Sequence, residues 1–149
     1  MKMLRIGTHA HLDIYSVETE IPVYRPYVET GIKAGFPSPA DDFHYMSIDL
    51  NKELIKNKEA TFFARVKGDS MRDAGLDDGD LLVIDRSLEP QNGKIAVCFV
   101  DGEFTVKRIK IDKDAVWLMP ENENYAPIKV TGENEFIIWG IVTAVIKKL

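Results

Sequence analysis

Two runs of apolar and β-branched residues, separated by only two residues, constrain the fold of this chain more than any other feature. Residues 94–100 and 103–109 flank Asp101-Gly102, a dipeptide that strongly favours a tight turn between antiparallel strands. Further short runs of this kind occur at 62–67, 81–85, 115–119, 128–130 and 136–146. Short strands at such spacing, with few helices, predict a mainly β fold of antiparallel, partly closed sheets.

Helical signals are brief. Leu50, Leu54 and Ile55 are spaced for one apolar helix face, which predicts a short helix over residues 49–57.

The first 34 residues show no helical period and are interrupted by prolines, so we expect an extended arm with a short strand. Residues 35–42 contain two prolines and then acids, and this composition predicts a linker. The expected organisation is an N-terminal arm and linker over 1–44, followed by a β-rich domain over 45–149.

Composition limits the compartment and the partners. Cys98, the single cysteine, excludes an intramolecular disulfide and lies in an apolar run that predicts a buried, inert thiol. No stretch reaches the roughly 18 apolar residues of a membrane span, and no secretory signal is seen. We therefore expect a cytoplasmic protein that binds no membrane. The net charge of −5, without a basic cluster, disfavours tight nucleic-acid binding and favours protein partners. No metal or cofactor is expected.

Ser70 lies in the loop Gly68-Asp69-Ser70-Met71 between two predicted strands. A serine in such a loop is usually a turn residue that satisfies backbone groups. Its hydroxyl becomes a candidate nucleophile only if a base lies next to it.

Lys107 lies on the strand after the Asp101-Gly102 turn, and strand alternation places it on one face with Thr105 and Ile109. A strand lysine is usually a solvated edge charge. Between Thr105 and Ile109, however, it can be half-buried, and burial can lower the lysine pKa from about 10.4 by roughly 3 units. A lysine with such a pKa can act as a base, and Thr105 can orient its amine by a hydrogen bond.

Ala34 and Gly35 precede the proline-rich linker. Small residues on both sides of a peptide bond allow the backbone to enter a narrow site in extended form. By itself, this pattern is more often simple linker composition.

Taken together, these features resemble the LexA/UmuD family of self-cleaving serine peptidases. The loop at 68–71 and the stretches 79–85 and 101–108 resemble its catalytic core. The stretch 34–40 resembles the cleavage region of UmuD-type members. The resemblance runs from about Gly31 to the C-terminus, and the first two dozen residues match nothing in the family.

The resemblance implies a LexA-like peptidase fold and a self-cleavage mechanism. Ser70 Oγ would attack the carbonyl of Ala34, while neutral Lys107 takes the hydroxyl proton and then passes it to the amine of Gly35. Backbone N–H groups of Asp69 and Ser70 would form the oxyanion hole.

The resemblance also implies partners. Family members are cytoplasmic homodimers of bacteria, and their cleavage is latent until a RecA filament forms on single-stranded DNA after DNA damage, in the SOS response. The shortened UmuD-type product joins a Y-family, error-prone DNA polymerase in translesion synthesis.

Three other interpretations account for some of the same residues. A LexA-like repressor would carry a helix-turn-helix domain, but the 34 residues before the predicted cleavage site have no three-helix pattern. A truncated LexA-like regulator remains as an alternative. Signal peptidases use a similar serine–lysine pair but would carry a membrane anchor. A non-enzymatic polymerase-binding subunit, in which cleavage is only a switch, is compatible with the same residues.

Overall fold

The computed structural model describes residues 2–19, 22, 24–28 and 45–149. The predicted cleavage site at Ala34-Gly35 and the predicted linker at 35–42 lie outside the described residues. Within the described ranges the chain forms strands, one α-helix and two 3₁₀ turns. The strands are β1 (Lys2–Thr8), β2 (Leu12–Glu18), β3 (Tyr24–Val28), β4 (Tyr45–Asp49), β5 (Thr61–Val66), β6 (Leu81–Asp85), β7 (Ile95–Val100), β8 (Glu103–Ile111), β9 (Val116–Met119), β10 (Ile128–Val130) and β11 (Phe136–Ile146). The helix α1 spans Leu50–Leu54, and the 3₁₀ turns span Lys58–Ala60 and Arg72–Ala74.

Nine of these strands form one antiparallel sheet in the order β1-β2-β5-β6-β11-β7-β8-β9-β10. Strands β3 and β4 pair with each other in a separate two-stranded sheet. The prediction of a mainly β, antiparallel fold with few, short helices is confirmed.

The β7–β8 hairpin forms at the predicted turn. Asp101 has φ 48° and Gly102 has φ 87°, so both central residues are left-handed, as a two-residue type I′ turn requires. Glycine adopts such a φ without steric cost. The turn fixes the register of β8 against β7 and thereby places Lys107 opposite Ala96.

The helix is shorter than predicted. It begins after Asp49, whose carboxylate accepts a hydrogen bond from the Asn51 N–H at 3.0 Å in the usual N-cap manner. It ends after Leu54, because Ile55 has extended backbone angles.

The N-terminal segment contains more strand than the sequence indicated. β1 and β2 form a hairpin, and β2 pairs with β5 from Leu12↔Val66 to Ser16↔Phe62. Leu12 and Ile14 are buried in the core. Residues 2–18 are therefore part of the main sheet, not an arm with one short strand. The predicted domain boundary at residue 44 stays a prediction.

Two apolar clusters pack on the strands around β8. Val106 belongs to the first, and Ile109 belongs to the second together with Cys98. The Cys98 side chain is fully buried, and this burial raises the pKa of its thiol to about 12. The predicted buried cysteine is confirmed, and its thiol stays protonated at neutral pH.

Candidate active site

The loop that carries Ser70 begins where β5 ends. Gly68 has φ 94°, a left-handed conformation that favours glycine, and its N–H donates to Asp78 Oδ1 at 2.7 Å. After Ser70, the buried side chains of Met71 and Leu76 anchor the chain in the core. The loop is thus fixed on both sides of a half-buried Ser70.

Lys107 on β8 faces this loop. Its Nζ lies 2.8 Å from Ser70 Oγ, 2.7 Å from Thr105 Oγ1 and 3.0 Å from the Val106 carbonyl oxygen. Only 7% of Lys107 is exposed, and this desolvation lowers the pKa of its amine from 10.5 to about 8. The structure therefore brings together three of the residues selected from the sequence, although they belong to two distant parts of the chain.

The ammonium form of Lys107 can donate to all three of these oxygens, and the neutral form can keep two of the hydrogen bonds. A neutral amine has two N–H donors and one lone pair. Its donors can serve the Val106 carbonyl oxygen and Thr105 Oγ1, which leaves the lone pair for the Ser70 hydroxyl proton. Such an arrangement can activate a serine nucleophile without histidine.

Backbone donors are also available beside the hydroxyl. Among the described residues, the N–H groups of Asp69 and Ser70 have no hydrogen-bond acceptor. Their carbonyl groups, in contrast, are engaged: Asp69 O accepts from Asn122 Nδ2, and Ser70 O accepts from the Glu121 N–H. The two N–H groups are thus free to receive a developing negative charge.

The segment 121–125 supports the serine loop and was not selected from the sequence. Asn122, which is 4% exposed, donates from Nδ2 to Asp69 O at 2.9 Å, and Tyr125 Oη donates to Asp69 Oδ1 at 2.6 Å. The side chain of Glu121 pairs with Arg108, the neighbour of Lys107 on β8. This segment therefore ties the serine loop to the strand that carries the lysine. Its residues lie more than 50 positions from Asp69, and no local pattern reveals the contact.

An open groove of about 450 Å³ runs past the two side chains. Its walls include Ser70, Lys107, His11, Glu103 and Tyr125. Beside Ser70, a second cavity of only about 20 Å³ is lined by the apolar side chains of Val66, Met71, Leu76 and Val106 together with the polar residues His11, Lys67 and Thr105. A groove of this size accommodates an extended peptide, and the small cavity accommodates little more than a methyl group.

The described residues include no cluster of three or more His, Cys, Asp or Glu side chains that could hold a metal ion. In the same part of the chain, no helix has the length and apolar character needed to cross a membrane.

Comparison with known proteins gives the class of the chain. The sequence pattern of the Peptidase S24-like family matches residues 26–143, which is most of the chain. The chain therefore belongs to the Peptidase S24-like family of serine peptidases.

Individual relatives agree with this assignment. The chain is 45% identical to Protein SamA of Salmonella typhimurium over 115 residues, covering 77% of this chain and 79% of SamA. It is 43% identical to Protein ImpA of Escherichia coli over 124 residues, covering 83% and 84%. The LexA repressor of Xylella fastidiosa is 36% identical over 118 residues, which cover 78% of this chain but 54% of the repressor. The predicted LexA/UmuD-type resemblance is confirmed.

Proposed function

We propose that this protein is a self-cleaving serine peptidase in which Ser70 and Lys107 cut the Ala34–Gly35 bond. The observation that carries the proposal is the 2.8 Å approach of Lys107 Nζ to Ser70 Oγ, with the amine 7% exposed and its pKa lowered to about 8. At neutral pH about a tenth of such an amine is unprotonated, which is enough for a base.

The proposed reaction uses these groups one after another. Lys107 accepts the hydroxyl proton as Ser70 Oγ attacks the carbonyl carbon of Ala34, and the resulting oxyanion is held by the N–H groups of Asp69 and Ser70. Lys107 then gives the proton to the departing amine of Gly35. An ester between Ser70 and Ala34 remains, and water activated by Lys107 hydrolyses it.

The small cavity beside Ser70 supports the proposal of alanine before the scissile bond. Its volume of about 20 Å³ fits the methyl side chain of Ala34, and Met71, Leu76 and Val106 provide apolar contacts on part of its wall. The larger groove, of about 450 Å³, takes the backbone on either side.

The biological setting rests on the family resemblance. We propose that the protein acts as a cytoplasmic homodimer in the SOS response, that a RecA filament on single-stranded DNA stimulates its cleavage, and that the cleaved form is an accessory subunit of a Y-family translesion polymerase. The relationship to ImpA, SamA and LexA supports this setting. Co-purification of the cleaved form with such a polymerase tests the last part.

Replacing either member of the pair is expected to stop cleavage. Purified protein, incubated alone at high pH or with a RecA filament at neutral pH, should yield a product whose N-terminal sequence begins at Gly35. Ser70→Ala and Lys107→Ala should yield none, because each residue has an indispensable role. Both variants should remain folded by circular dichroism. Undiminished cleavage in either variant, or a product that begins elsewhere, would refute the assignment.

Asn122 is expected to act as a positioning residue. Asn122→Ala removes one of the two hydrogen bonds that the Asp69 carbonyl accepts, the other coming from the Arg72 N–H at 3.1 Å. The peptide plane that carries the Ser70 N–H is then held less firmly. We expect the cleavage rate to fall about 10- to 100-fold. The pH at which the rate levels off should stay unchanged, because Lys107 is untouched.

The matched control is Asn124→Ala, since Asn124 lies two residues away with an exposed side chain. It should cleave at nearly the wild-type rate. An Asn122→Ala protein that loses stability but cleaves normally when folded would show that Asn122 has only a structural role.

A further inference from the structure

The β1–β2 hairpin precedes the proposed cleavage site in sequence but forms part of the main sheet. β2 pairs with β5 from Leu12↔Val66 to Ser16↔Phe62. The pairing continues beyond both strands, because the Lys67 N–H donates to the His11 carbonyl oxygen at 2.9 Å. The hairpin therefore covers the edge of β5 from Phe62 to Val66, all but its first residue.

Apolar burial holds the hairpin in place. Leu12 is fully buried and Ile14 is 3% exposed. Both pack in the same cluster as Leu82 and Val97, which belong to β6 and β7. Withdrawal of β2 would expose these two side chains and the core beneath them to water.

An ion pair between buried Asp13 and half-buried Lys67 adds to this attachment. Asp13 is 8% exposed, and its Oδ1 lies 2.9 Å from Lys67 Nζ. The interaction with Lys67 lowers the pKa of the Asp13 carboxyl, so the carboxylate is charged at neutral pH. Lys67 Nζ also donates to the His9 carbonyl oxygen at 3.1 Å, and the His9 ring packs on Phe104 with centroids 4.7 Å apart. Separation would leave Lys67 without these partners.

A second element on the same side of the cleavage site also pairs with the rest of the chain. β3 is hydrogen-bonded to β4, in register from Tyr24↔Asp49 to Val28↔Tyr45. Hydrolysis of the Ala34–Gly35 bond breaks none of the contacts of β2 or β3.

We infer that residues 1–34 stay bound after cleavage, so that the immediate product is a nicked, two-chain protein rather than a body that has shed its N-terminal segment. This inference rests on the proposed cleavage site, but its contacts are all among described residues. The partner of the β5 edge is the chain's own N-terminal segment. The hairpin lies outside the family match, which begins at residue 26. The pairing of β2 with β5 therefore involves a segment that the family pattern does not include. Any protein that pairs with the edge of β5 must first displace β2.

The test separates the nick from the self-cleavage chemistry. In a full-length Ser70→Ala protein, residues 37–42 are replaced by the recognition sequence of a site-specific protease, and the bond is cut by that protease. Gel filtration at about 10 μM is followed by a denaturing gel of each fraction. We expect the N-terminal fragment to co-elute with the C-terminal part of the cut protein. At this protein concentration a complex with a Kd of about 1 μM stays largely associated. Elution of the fragment in separate, low-mass fractions would overturn the inference.

Self-cleaved wild-type protein is analysed in the same way. Absence of self-cleavage, with the fragment retained in the cut Ser70→Ala protein, would refute the proposed function and leave this inference standing. Self-cleavage followed by loss of the fragment would support the proposed function and refute this inference.

Two leucines of the hairpin provide a matched pair of variants. Leu12→Ala removes a fully buried side chain, and Leu4→Ala removes one that is 43% exposed. Leu12→Ala should weaken retention of the fragment on the order of 100-fold, whereas Leu4→Ala should change it only about twofold. If Leu12→Ala and Leu4→Ala weakened retention of the fragment equally, buried contacts would not be what holds the hairpin on the sheet. If the uncut Leu12→Ala protein does not fold, retention or loss of the fragment in the cut Ser70→Ala protein alone tests the inference.

Discussion

Lys107→Met should eliminate self-cleavage and leave the protein at least as stable as the wild type at neutral pH. Methionine fills a similar volume but cannot take a proton from Ser70. It also carries no charge to desolvate. The fall of the Lys107 pKa from 10.5 to about 8 corresponds to a cost of about 3 kcal/mol for burying the ammonium form. The variant should therefore be up to about 3 kcal/mol more stable at pH 7, as is common at catalytic sites.

The sign of the effect depends on pH. Between pH 8 and 10.5 the unfolded chain binds more protons at Lys107 than the folded one, so the contribution of this group makes stability rise with pH. The full cost is present below pH 8 and has disappeared above pH 10.5. The advantage of Lys107→Met should therefore shrink across this interval.

Urea unfolding at pH 7 and pH 10 measures this difference, with Ser70→Ala as the uncleavable reference. Lys110→Met serves as the control, because Lys110 is an exposed lysine on the same strand. It should cleave and unfold like the wild type. A Lys107→Met protein several kcal/mol less stable than Ser70→Ala would identify Lys107 as an ordinary structural lysine.

Ala34→Trp should reduce cleavage below detection while leaving the fold intact. The cavity beside Ser70 has a volume of about 20 Å³, and an indole ring cannot enter it without displacing buried Met71 and Leu76. The reaction needs its atoms within about 3.5 Å of each other, and even a small misplacement of the scissile carbonyl lowers the rate strongly. A gel time course of the purified variant measures the effect.

Two substitutions control for general disturbance of the segment. Ala34→Ser keeps a small side chain and should be cut, though more slowly. Ala40→Trp introduces the same indole six residues further along the chain, where it should not interfere with the cavity beside Ser70. Cleavage of Ala34→Trp at the wild-type rate would show that the scissile bond lies elsewhere.

Much of the β-domain follows from local patterns. Asp101-Gly102 determines the turn between β7 and β8, and the alternation along β8 puts Lys107 beside Thr105, as their 2.7 Å contact confirms. Residues 81–85, 128–130 and 136–146 form strands with the predicted bounds. In each case the signal lies within a few residues, because turn chemistry and side-chain alternation are local properties.

Other features depend on contacts between distant residues. The turn between β1 and β2 contains His9, Ala10 and His11, none of which marks a tight hairpin. Its stability comes from pairing with β5 some fifty residues away, which no local pattern reveals. The same holds for Asn122, whose sequence neighbourhood indicates an ordinary polar loop although its amide holds Asp69. The burial of Lys107 likewise depends on a distant segment, the loop that carries Ser70, whose hydroxyl lies 2.8 Å from the lysine amine.

The rate of self-cleavage as a function of pH tests most directly whether a desolvated Lys107 is the base. First-order rate constants are measured from pH 6 to 11 without RecA, with circular dichroism at each pH to verify folding. The rate should rise about tenfold for each pH unit below the Lys107 pKa and level off above about pH 8, where the amine is neutral. A flat profile, or a rise that continues through pH 10.5, would contradict the account, because Lys107 would then not be the buried base of Ser70.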